Sequence, residues 1–256
     1  MKVSNFIVFH LIVSFQFMIS SPLTALKSSL MTEYNAQVSA QKVSFLKQYG
    51  LTEQDIDQFS DREQFKASHD EMVKKAREQY TIPEAAAKRQ ALQKVQDVAQ
   101  HVFAECGLDK VEILHAPDSE LSGICVMQLY VTGMVYIQLN AVLHATSLDV
   151  LADLLRHEAS HIVYKDNLLK DIMGCIAWCH SQESPEQIQE KLYPFCRSFE
   201  VRADVYAALH SPGYAKLLMI FLKQLPVDGP ATHPKPAERI TLLEHIQARL
   251  ADTITE

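Results

Sequence analysis

Residues 148–163 read LDVLADLLRHEASHIV, and inside them His157-Glu158-Ala159-Ser160-His161 forms an H-E-x-x-H arrangement. Leu151, Leu154, Leu155, Ile162 and Val163 recur at helical spacing, and Ser147 with Asp149 supplies a capping signal just before them. On a helix, positions 157 and 161 stand one turn apart on one face, so their imidazoles converge on a single point. Imidazole suits zinc, which in reactive sites takes three protein ligands and keeps a further position for water. Glu158, beside the first ligand, is placed to accept the proton of that water.

A third ligand must come from elsewhere in the chain. The helix expected after Pro194 offers Glu200-Val201-Arg202-Ala203-Asp204, two carboxylates one turn apart. Glu200 is expected to complete the metal set, and Asp204 to hydrogen-bond a ligand histidine and fix its tautomer. The apolar neighbours Phe199, Val201, Ala203 and Val205 mark a largely buried helix, where an unpaired carboxylate is costly. Farther on, Thr232-His233-Pro234 precedes Glu238-Arg239-Ile240, and Arg239 is expected in a structural ion pair.

These three motifs, in this order, make the chain resemble the HtpX/BepA-type zinc endopeptidases, the gluzincin family that includes the CAAX prenyl protease. The resemblance covers roughly residues 111–245. Two departures stand out: Ser160 occupies a position where the family prefers glycine, and the multiple membrane helices of the embedded members are absent from the sequence pattern, which points to the soluble exported branch. The resemblance implies a zincin-like core with one Zn2+, a small antiparallel sheet, and an edge strand over Met134–Asn140 that pairs with extended substrate. It also implies an endopeptidase acting on misfolded or misassembled envelope proteins, with peripheral association with membrane-assembly machinery. His233 has two roles open to it: donor to the oxyanion during cleavage, or a zinc ligand that keeps the enzyme silent. A second reading is a zinc-bound, chaperone-like module that grips extended segments without cutting them. Glu158 argues for the enzyme, since zinc binding alone needs no carboxylate at that place.

The remaining sequence sets the frame. A chain of 256 residues, 48% hydrophobic, can bury a substantial core without disulfides. The expected class is α+β, predominantly α-helical: a leader over residues 1–25, a helical N-terminal region over 26–106 and a metallopeptidase core over 107–256. Strands are expected at 111–114, 124–131 and 134–139, with Thr132-Gly133 turning the last two into a hairpin. Further helices are expected from Pro194 to Leu209, Tyr214 to Lys223 and Ala237 to Ala251. Lys2 followed by the apolar run Phe6 to Ile19 reads as an export signal cleaved after Ala25, giving a periplasmic protein; an uncleaved membrane anchor is the alternative. The net charge of -7, without any dense Lys/Arg stretch, argues against nucleic acid as a partner. Five cysteines cannot all pair within one chain. Cys175 and Cys179 follow a C-x-x-x-C-H spacing, not the C-x-x-C-H of haem attachment, and read as structural.

Overall fold

The computed structural model of the chain describes residues 22–61, 63–79, 86–108, 111–115, 124–128, 133–137, 147–223 and 231–255. Most of the expected leader therefore lies outside the described residues. In chain order the elements are α1 (Pro22–Gln48), α2 (Glu53–Ser60), α3 (Glu63–Gln79), α4 (Ala86–Glu105), β1 (Val111–His115), β2 (Ile124–Gln128), β3 (Gly133–Ile137), α5 (Leu148–Val163), α6 (Asp166–His180), α7 (Pro185–His210), α8 (Pro212–Leu222) and α9 (Pro236–Thr255). The chain is predominantly α-helical. No helix among the described residues is long and apolar enough to cross a membrane.

The sheet corrects two expectations. Its order is β1-β3-β2, with β2 antiparallel to β3 and β1 parallel to β3, so it is mixed and not antiparallel throughout. β3, which was expected to form the edge, is the central strand. The physical reason lies in the hairpin register, Gln128 opposite Gly133: pairing with β2 leaves β3 one open edge, and β1 fills it. A substrate strand cannot add to a strand whose backbone groups are committed on both sides.

Helix α7 is the axis of the fold, packing against α1, α5, α6, α8 and α9. It begins at Pro185, before the expected start at Pro194, because Ser184 and Gln187 form a capping box and Pro185 fits the first turn. Pro194 sits inside the helix on its exposed side, where it removes one intrahelical hydrogen bond. Burial of Ile188, Leu192, Phe195 and Phe199 on the opposite side holds the helix together through that defect. Each such side chain fully withdrawn from water contributes roughly 1.5–3 kcal/mol.

Three apolar clusters surround this axis, and each joins N-terminal helices to the rest. Phe45, Leu46, Ile56 and Phe65 pack with Ile172, Met173, Phe195 and Phe199. Leu92, Val95, Ala99 and Phe103 on α4 pack with Leu151, Leu155, Ala159 and Ile162, the apolar stripe of α5. Leu30 and Tyr34 pack with Val205, Leu209, Tyr214 and Leu243. The N-terminal helices are thus walls of a shared core, and α5 is pressed from behind so that its other face looks onto α7.

The turn between α5 and α6 passes through Lys165 at φ 57°, a left-handed conformation. Among the described residues it is the one non-glycine at positive φ. A side chain there costs about 1 kcal/mol relative to glycine, most of all a β-branched one. We expect Lys165→Gly to leave stability unchanged or raise it by about 1 kcal/mol and Lys165→Val to lower it by about 1–2 kcal/mol, measured by urea unfolding. Equal loss in both variants would contradict a conformational origin.

Candidate metal centre

Helix α5 turns His157 and His161 toward α7, where Glu200 meets them. Both histidines are buried and Glu200 is nearly so. The Nε2 atoms of His157 and His161 lie 3.3 Å apart, His157 Nε2 lies 3.3 Å from Glu200 Oε2, and His161 Nε2 lies 3.6 Å from Glu200 Oε1. Ligands about 2.0–2.1 Å from a tetrahedral ion stand about 3.3–3.4 Å from one another. The separations of His157 Nε2 from His161 Nε2 and from Glu200 Oε2 match that spacing, that of His161 Nε2 from Glu200 Oε1 is slightly longer, and the three side chains could hold a metal ion.

The tautomers agree with that reading. His157 Nδ1 is 3.0 Å from Asp204 Oδ1, and His161 Nδ1 is 2.9 Å from Asp166 Oδ2. A carboxylate facing Nδ1 draws the ring proton to that nitrogen, leaving Nε2 with a free lone pair. Both Nε2 atoms face the shared centre, where a metal ion would take the place of a proton.

Each carboxylate is anchored in turn. Asp204, fully buried, accepts a bidentate pair from Arg239 at 2.7 Å on both oxygens, and Tyr214 Oη donates to it at 2.8 Å. Tyr214 Oη also lies 2.9 Å from His157 Nδ1. Asp166 pairs with Arg202, which donates further to Asn35 Oδ1 and stacks 4.1 Å over the Tyr164 ring. Arg239 thus forms the expected structural ion pair, with Asp204, 35 residues away in sequence; its neighbour Glu238 accepts from the Lys235 backbone. Removing one partner from a buried pair of this kind costs about 3–5 kcal/mol, because the other charge is left unpaired.

Glu158, half-buried, lines a cavity of about 330 Å3 with His157, His161, Glu200 and His233. Burial pushes its carboxyl above the ordinary value against the pull of the imidazoles at 157 and 161. His233 hydrogen-bonds Glu200 Oε2 through Nε2 at 3.1 Å and approaches Thr232 Oγ1 through Nδ1 at 3.0 Å. Ser160, between the two histidines, is fully buried with its hydroxyl unpartnered. A larger cavity of about 600 Å3, between α4 and α5, contains none of these groups.

The structure thus brings His157, Glu158, His161, Glu200, Asp204 and His233 together. Asp166, Arg202 and Tyr214 escaped the sequence reading. Arg202 carried a legible signal, an arginine on a buried helix that needs a partner; Asp166 depends on the Lys165 turn and Tyr214 on how α8 docks, neither of which shows in local pattern. Cys106, Cys175, Cys179 and Cys196 are free thiols. Comparisons of the chain with protein-family models, curated proteins and solved structures found no match.

Without a cation the cluster balances its own charge. Burial lowers the His157 pKa, but Asp204 and Glu200 outweigh it and lift the group to about 10. Burial raises that of Asp204, but Arg239 and His157 outweigh it and hold it at about 2. A raised histidine contributes stability that is fully present below 6.5 and is lost as pH rises through about 10; a depressed aspartate contributes stability present above 3.8 and lost as pH falls through about 2. We expect chelator-treated protein to melt highest between these windows and to lose stability from pH 6.5 toward 10, with zinc flattening the alkaline side by replacing the proton. An alkaline slope identical with and without zinc would contradict the shared site.

Proposed function

We propose that the chain is a zinc-dependent endopeptidase in which His157, His161 and Glu200 hold the ion and Glu158 is the general base. The observation that carries this reading is the position of Glu158, a carboxyl with a raised pKa in the same small cavity as three convergent metal donors. The motif resemblance to the HtpX/BepA-type peptidases and a zincin-like core supports it from the sequence side.

The ion, when bound, supplies Lewis acidity that polarises a carbonyl and lowers the pKa of water to about 7. Glu158 takes the proton of the attacking water and later passes it to the leaving amine, a role suited to a carboxyl whose pKa is lifted toward the working pH. Asp204 and Asp166 keep both ligand imidazoles in the Nε2-donating tautomer throughout. His233 steadies Glu200 through Nε2; turned from Glu200 to a developing oxyanion, that same N–H becomes a donor worth about 3 kcal/mol.

With β3 in the centre of the sheet, the strand for an extended substrate is β2. It has a neighbour on one side only among the described residues, and it lies against α5 and α6. We further propose that the substrates are misfolded or misassembled proteins of the cell envelope, reached after export and beside membrane-assembly machinery.

The test is cleavage of casein by wild type, Glu158→Gln and His233→Ala with zinc content measured on each. We expect one zinc in all three, a loss of at least about 100-fold in Glu158→Gln and about 100-fold in kcat for His233→Ala. Undiminished cleavage by Glu158→Gln would sink the base assignment. Higher activity in His233→Ala would make that residue an inhibitory ligand, and zinc with no cleavage in any form would favour the chaperone-like peptide-binding module.

A further inference from the structure

Beside the metal cavity lies a second one of about 480 Å3, between α3, α6 and the first half of α7. The two share Lys170, Cys196 and Thr232 in their walls, so they are immediate neighbours there. Most of the exposed lining of the second cavity is apolar, with Phe65, Leu192 and Tyr193 in its wall; Ser68, Asp171 and Gln189 add polar groups, and Gly174 on α6 has no side chain to fill the space. Its volume falls within the range of about 300–1,000 Å3 typical of pockets that enclose ligand groups. Asp171 and Lys170 stand at the polar side of the opening.

We propose that this cavity is the pocket for a large apolar side chain of the polypeptide substrate, close to the bond presented to the metal centre. The inference rests on the peptidase or peptide-binding reading of that centre. Its occupant follows from continuity: a chain held over Glu158 and His233 runs past Lys170, Cys196 and Thr232, and the next side chain that turns inward enters an apolar chamber. Against Phe65, Leu192 and Tyr193 a Phe, Tyr, Leu or Met side chain exchanges water for apolar contact, while Lys170, Asp171 and Gln189 stay at the polar part of the wall. The pocket also gives the N-terminal helices a part in recognition, since Phe65 and Ser68 on α3 complete its wall.

Gly174 offers a way to close the pocket without disturbing the ligands. A Cβ built there meets only Leu192 Cδ1 at 3.6 Å, an ordinary contact, and its backbone is helical, so a longer side chain extends into the cavity. Ser68 is exposed on α3 and offers a second route, Ser68→Trp, from the opposite wall.

The test uses full-length, zinc-loaded Glu158→Gln protein and unstructured decapeptides in which Phe or Ala is scanned along the sequence, with binding read by fluorescence anisotropy. At one position we expect Phe to bind at least about tenfold tighter than Ala, and Gly174→Leu and Ser68→Trp each to erase the difference while leaving the Ala peptides unchanged. Equal binding of Phe and Ala at every position, or an equal loss for all peptides in both variants, would overturn the pocket. Because binding is read without cleavage, a protein that discriminates Phe but cuts nothing would retain the pocket and reject only the peptidase.

Discussion

Two buried carboxylates on two ring nitrogens govern this structure. Asp204 on His157 Nδ1 and Asp166 on His161 Nδ1 fix the orientation of each imidazole, and both leave Nε2 facing Glu200. A carboxylate withdrawn from water is costly unless paired, so each recruits an arginine, Arg239 for Asp204 and Arg202 for Asp166. The centre is therefore two parallel relays, histidine to aspartate to arginine, joined at Glu200. Stability and chemistry share those bonds.

The relays explain why so much helix surrounds so small a site. Asp204 and Arg202 come from α7, Asp166 from the first turn of α6, Tyr214 from α8, Arg239 from α9, and Asn35 from α1 holds Arg202. Each packs on α7 through one of the apolar clusters, and α4 presses α5 forward from behind. Hydrophobic burial sets the helices to their general positions; the charged bonds select the geometry within them, since only good alignment offsets the loss of water. The N-terminal helices belong to this apparatus and, through α3, to the wall of the cavity next to the candidate metal site.

How much of this could be read in the sequence follows the range of the interactions. His157, Glu158 and His161 are legible because helical spacing alone brings them to one face, and Glu200 with Asp204 because they repeat that logic on an apolar helix. The helical character of the chain and the three strands follow from local pattern as well. Strand order does not: the hydrophobicity of β3 is the same whether one or both of its edges are paired. Pro194 looks like a helix opening, but Ser184-Pro185 with Gln187 is a stronger one, so α7 starts at Pro185. Asp166 stayed hidden because Lys165 gives no sign of a left-handed turn, and a lysine there departs from the usual glycine.

In the proposed site two imidazoles and one carboxylate hold a single zinc ion. Zinc K-edge X-ray absorption on the purified protein tests it directly. Three protein donors of this kind require only nitrogen and oxygen scatterers at about 2.0–2.1 Å, one zinc per chain, and loss of the ion in His157→Ala. A sulfur shell at about 2.3 Å, pointing to the free thiols of Cys175, Cys179 or Cys196, or a zinc content that survives His157→Ala, would contradict the claim.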